Sequence, residues 1–172
     1  MNFGEAQSIG LKMKIQKFSL FLALPLFALG QSTDDFRNYI RDEEGFRNRV
    51  YLDSNLNKTV GIGHKLTSEE NWNGVVFSYE VINTIFAKDL KIAIDGTKKL
   101  IRNYDKQPAN VKVALVSMTF NVGVGGFEKF VKFRRAIELF QYDEAIVQIN
   151  NSKWAGQVPN RAERVIKILK KN

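Results

Sequence analysis

After Pro108 the chain runs through Val111, Val113, Ala114, Leu115, Val116 and Met118, a stretch apolar nearly all round a helical wheel. A helix without a polar face is buried on every side, so other elements have to be wrapped around it. The flanking sequence supplies them. Val81, Ile82, Ile85 and Phe86 are spaced for one face of a helix that starts near Ser78 and continues past Leu90 and Ile94 toward Leu100. Gly123, Gly125 and Gly126 are expected to break the chain after the central helix, with further helices around 130–140 and 142–150. A last helix begins near Pro159, a good first-turn residue, with Ala162, Val165, Ile166 and Leu169 on one face.

Upstream the texture differs. Ser32 with Asp35 resembles a capping box opening a helix whose apolar face is Phe36, Tyr39 and Ile40, and Gly45 is placed to end it. From Val50 to Ile62, two apolar runs flanking the turn-rich 54–57 predict a small hairpin or short sheet. The pattern is α+β: a small β-containing N-terminal lobe joined by a long helix to a mainly helical C-terminal lobe. The cleft between the lobes is the natural ligand site. A length of 172 residues, 44% hydrophobic and 26% charged, suits one such domain and excludes a disordered chain or a polytopic membrane protein.

Residues 1–30 read as a leader rather than as fold. Lys12, Lys14 and Lys17 precede the apolar run Phe18 to Leu29, and Ala28-Leu29-Gly30 offers the small residues of a signal-peptidase site. The run falls short of the roughly 20 residues a spanning helix needs, and Pro25 interrupts it. The polar first residues make Met13 a possible start. The expectation is an exported (secreted or periplasmic) protein cleaved after Gly30, with residues 31–172 forming one two-lobed domain of charge +6. The chain has no Cys and one His, which excludes disulfides, a thiolate nucleophile and any Cys-based or multi-His metal centre. No cofactor is implied. A surplus of 26 Lys and Arg over 18 Asp and Glu points to a polyanion such as a wall polymer, a membrane surface or nucleic acid. Nucleic acid is disfavoured because the basic residues are dispersed and no reading motif is present.

Two carboxylates flank the expected lobe junction: Glu44 at a helix end and Asp53 at a strand end. Cleaving an acetal needs one acid to protonate the leaving oxygen and one carboxylate to assist water or the oxocarbenium ion. Burial and a helix C-terminus both favour the protonated form that the acid requires. Glu43 meets that description as well as Glu44 does, and on the wheel it lies nearer the Phe36–Ile40 face. Spacing leaves both open.

The run Glu44-Gly45-x5-Tyr51-x-Asp53-x5-Thr59-x-Gly61-x-Gly63-His64 resembles the active-site signature of the phage-type lysozymes, glycoside hydrolases of the endolysin kind. Phe120-Asn121-x-Gly123 and Trp154-x4-Pro159-Asn160-Arg161-Ala162 are similar to the same family's C-terminal lobe, so the resemblance spans nearly all of residues 31–172. It implies a lysozyme-like fold, with Glu44 as general acid, Asp53 holding the attacking water, Thr59 helping to place it, and inversion at the anomeric carbon. It further implies that Arg161 orients Glu44 and that His64 is a structural imidazole bonded to Asp89. Lys65, Phe120, Asn121 and Gln148 fall where related lysozymes touch the saccharide. Trp154 suits either a stacking platform or the core. The implied partner is bacterial peptidoglycan, met by a monomer, with only transient membrane contact through the leader.

Two departures from the family pattern stand out. Leu56 occupies a turn position that is commonly Gly, and because Leu disfavours positive φ, Asn55 or Asn57 is expected to adopt that conformation instead. Phe133 replaces a small polar residue and is expected to narrow the cleft. Asp53-x-Asn55-x-Asn57 imitates a calcium loop, but Lys58 stands where Gly is needed and His64 where a bidentate Glu belongs. Gly61-Ile62-Gly63 lacks the third glycine of a dinucleotide loop. Competing functions are a lytic transglycosylase, which needs no Asp to assist water, and a membrane-active cationic protein built on the basic amphipathic tail 161–171.

Overall fold

The computed structural model describes residues 33–53 and 56–172. The leader and the Ser32 cap lie outside these residues. Helix α1 (Thr33–Glu44) buries Phe36 and Ile40. It stops at Gly45, whose φ of +69° turns the chain out while its N–H still donates to Arg41 O at 3.0 Å. Strands β1 (Arg47–Leu52), β2 (Lys58–Gly61) and β3 (His64–Lys65) form an antiparallel sheet in sequence order. Tyr51 lies opposite Thr59, and Val60 opposite His64.

The 22-residue helix α2 (Tyr79–Leu100) runs from the sheet to the helical lobe, with Ser78 Oγ accepting from the Val81 N–H at its start. Its buried face is Ile82, Phe86, Leu90, Ala93, Ile94 and Thr97. Val81, expected on that face, is exposed, because its place at the start of the helix turns it to the outside. A short 3₁₀ turn (Tyr104–Lys106) leads to α3 (Ala109–Val122), in which every residue from Val113 to Thr119 is buried. Each fully buried aliphatic side chain of this kind contributes roughly 1.5–3 kcal/mol of apolar burial. Helices α1, α2, α4 (Val124–Glu128) and α8 (Pro159–Leu169) all pack on α3, which is the arrangement a helix without a polar face demands.

The remaining elements are α5 (Val131–Glu138), α6 (Tyr142–Asn150) and α7 (Lys153–Gln157). The glycine cluster does not simply break the chain. Gly123, with φ +73°, ends α3, whereas Gly125 and Gly126 lie within α4. Phe133 is a second correction. It is fully buried against Phe127 and Phe130, with ring centroids 6.3 and 6.4 Å away, so it fills the core and does not reach the cleft.

Candidate active site

Glu44 is the last residue of α1, and Asp53 follows the last residue of β1. Strand alternation puts Tyr51 and Asp53 on one face, and the ladder places Thr59 opposite Tyr51 on that same face. These residues line a cavity of about 350 Å³, closed on the helical side by Phe120, Asn121, Trp154, Val158 and Arg161. A second cavity of about 430 Å³ shares Gly63, Lys65, Phe120, Asn121 and Val122 with the first, so the two make a continuous cleft.

The adjacent glutamates separate sharply. The Glu43 side chain is 2% exposed and turned inward, whereas that of Glu44 is 18% exposed and faces the cleft. Arg161 spans both, with Nη2 donating to Glu44 Oε1 at 2.9 Å and Nε 3.2 Å from Glu43 Oε2. The wheel therefore identified Glu43 correctly as the more buried residue, while the cleft belongs to Glu44. Gly63 packs directly beneath the Glu44 carboxyl. Its φ is +73°, and a Cβ there would lie 2.8 Å from Glu44 Cδ and Oε2.

Asp53 is held by its own loop. Asp53 Oδ1 accepts from the Asn57 backbone N–H at 2.8 Å and from Nδ2 at 3.2 Å, and Oδ2 accepts from Nδ2 at 3.0 Å. Asn57 O in turn accepts from the Asp53 N–H at 2.9 Å and from Thr59 Oγ1 at 3.1 Å. One residue thus ties Asp53 to Thr59. Because the Asn57 side chain is engaged in this way, the positive φ falls on Leu56 (+61°), which corrects the expectation for Asn57, while Asn55 lies outside the described residues. Leu56 is 78% exposed, so its side chain meets no steric opposition beyond its own backbone. Lys65 Nζ stands 4.0 Å from Asp53 Oδ2. Burial, followed by the charge of Glu44, pushes the Tyr51 phenol above its usual range and keeps it a donor.

His64 is engaged on both ring nitrogens: Nδ1 lies 2.7 Å from Asp89 Oδ2 on α2, and Nε2 lies 3.3 Å from Glu70 Oε2. The hydrogen bond to Asp89 raises the imidazole pKa against the opposing effect of burial, and Glu70 adds to the rise. Trp72 stacks on the ring at 5.5 Å. Trp154 is buried, and its Nε1–H donates to Asn121 Oδ1 at 2.8 Å, orienting that amide at the cleft wall. Gln148 lines neither cavity. Helix α6 packs on α5 and α8, and Gln148 Nε2 donates to Glu144 Oε1 at 2.7 Å on its own helix. Asn57, Gln157 and Glu70 were not expected at the site. Asn57 alone carried a signal, as the last member of the discarded calcium-like run.

The family model described as phage lysozyme matches residues 41–170, a span that includes the whole cleft. A probable T4-type lysozyme of Dictyostelium discoideum is 28% identical over 77% of this chain and 92% of its own length. The endolysin of Salmonella phage P22 is 29% identical over 70% of this chain and 82% of its own. The peptidoglycan hydrolase gp36 of Pseudomonas phage phiKMV, also 29% identical, aligns with 82% of this chain and 16% of its own length. The fold, the cleft and these matches agree, and the chain belongs to the phage lysozyme family.

Proposed function

We propose that the protein is an exported muramidase that hydrolyses the β-1,4 bond between N-acetylmuramic acid and N-acetylglucosamine in bacterial peptidoglycan, with inversion. The observation that carries this reading is the placement of Glu44, Asp53 and Thr59 around a single cavity. Arg161 engages Glu44 Oε1, so Oε2 is the oxygen that delivers the proton to the departing sugar. Thr59 gives its own proton to Asn57 O, so its lone pairs accept from a water. Asp53 takes the proton of that water as it attacks the anomeric carbon from the opposite face. The Asn121 amide and Lys65 are suited to N-acetyl and hydroxyl groups along the cleft. The basic-then-apolar pattern of 12–30 supports export.

Clearing of purified peptidoglycan by the protein, with Glu44→Gln and Asp53→Asn beside it, tests the reading. Loss of clearing in both variants is expected. Mass spectrometry of the products should show reducing ends, and anhydro ends would establish transglycosylation instead. Proton NMR of the first products should show the α anomer, and the β anomer would refute inversion. Bacteriolysis undiminished in Glu44→Gln would mean membrane disruption.

A further inference from the structure

Glu43 touches no part of the cleft, yet it is the most thoroughly enclosed carboxylate described around the site. Ser117 Oγ on α3 donates to its Oε2 at 2.6 Å, and Arg161 Nε reaches the same oxygen at 3.2 Å. Arg164 Nη1 stands 3.5 Å from Oε1. The Tyr39 phenol lies alongside, its pKa pushed up to about 12 by burial and then by the Glu43 charge. Three helices (α1, α3 and α8) therefore converge on this one side chain.

We propose that Glu43 is a positioning residue for hydrolysis: it fixes the Arg161 guanidinium that holds Glu44 and balances its charge. This rests on Glu44 being the general acid. Arg161 is nearly buried and shared between two carboxylates. When Glu44 carries its proton, Glu43 is the anion that remains against Arg161. Remove that anion and a buried cation faces Glu44 alone, which favours the carboxylate form, and that form cannot protonate a leaving group. The charged and titratable groups facing this pair are Tyr39 from α1, Tyr51 from β1, Arg161 and Arg164 from α8, and across the cavity Asp53 and Lys65. Glu43 also works geometrically. With Nε fixed by Glu43, the planar guanidinium has one orientation in which Nη2 meets Glu44.

The test is steady-state kinetics across pH on soluble, uncross-linked glycan chains of peptidoglycan. Glu43→Gln is expected to lower kcat about 10²-fold with KM within about twofold, since the loss falls on alignment of the acid rather than on binding. The alkaline limb of its pH–rate profile should move to lower pH. Glu43→Asp, which restores the charge on a shorter stem, should return the limb toward the wild-type position. A folded Glu43→Gln with wild-type kcat and profile, beside an inactive Glu44→Gln, overturns the proposal. If Glu43→Gln does not fold, Ser117→Ala takes its place. It keeps the charge and loosens one contact, so kcat should fall about threefold with the profile unmoved, and an unchanged kcat overturns the proposal. Activity in Glu44→Gln would instead refute the assignment of the acid on which the inference stands.

Discussion

The two carboxylates of the cleft are held by opposite means. Asp53 sits in a loop that supplies restraints of its own, its carboxylate accepting from the backbone and the side chain of Asn57, four residues away. Glu44 is fixed from a distance, by an arginine 117 residues further along the chain and by the backbone of Gly63 pressed against its carboxyl. The difference lies in the restraint and not in exposure, since the Glu44 and Asp53 side chains are almost equally accessible at 18% and 19%. A base that takes a proton from water needs hydrogen bonds that stabilise its charge, whereas an acid needs one fixed orientation.

The contrast yields graded predictions. The largest effect is expected where backbone meets the acid. Gly63→Ala adds a Cβ 2.8 Å from Glu44 and forces a non-glycine residue to φ +73°. Its kcat should fall about 10²-fold, with stability lowered by about 1–2 kcal/mol. Kinetics and thermal melts on one sample check this, and wild-type turnover would show that Glu44 has room to spare.

The next effect concerns how the sheet is anchored to α2. His64 has a folded-state pKa raised above the ordinary imidazole value by Asp89 and Glu70. Its contribution is therefore complete below about pH 6.5 and is lost as pH rises through the raised folded value. His64→Asn should cost about 2–3 kcal/mol in urea unfolding at pH 5.5 and clearly less at pH 9. Equal losses at both pH values would mean that the ring serves by packing alone. Smaller still, Asn57→Ala should cut kcat about tenfold while scarcely moving the melting temperature, because it removes the two amide hydrogen bonds to the Asp53 carboxylate without opening the core. A large drop in melting temperature would show that the loop is structurally coupled to the rest. Least of all, Leu56→Gly should stabilise by up to about 1 kcal/mol by relieving the positive φ, with activity unchanged.

The same contrast explains what was legible in the sequence. Local signals read well: the all-round apolar run of α3, the glycine end of α1, the hairpin turn, and proline at the head of α8. So did the signature that spans Glu44 to His64, in which each spacing is short. What escaped depended on partners far away in the chain. Nothing in the spacing of Ser117, Arg161 and Arg164 announces that they enclose Glu43. Glu70 lies only six residues from His64, but the chain between them follows no regular pattern that would bring the two together. Turn propensity favours Asn57 for the positive φ, but Leu56 adopts it because the Asn57 side chain is committed to Asp53. Position in the family pattern puts Phe133 at the cleft, whereas the ring cluster of Phe127 and Phe130 decides its burial.

One further consequence lies in the far end of α3. Phe120, Asn121 and Val122 line both cavities, yet they continue a helix whose preceding residues form the centre of the core. One wall of the cleft is therefore continuous with the most deeply buried helix described, while the opposite wall is a three-stranded sheet with an exposed tip. An engineer seeking a muramidase with altered glycan preference would find the two walls unequal as starting material. The sheet side, around the exposed Lys65 and Leu56, is expected to absorb new residues at small cost in stability. Changes on the α3 side fall directly beside the buried run that ends at Thr119 and are expected to cost more in stability.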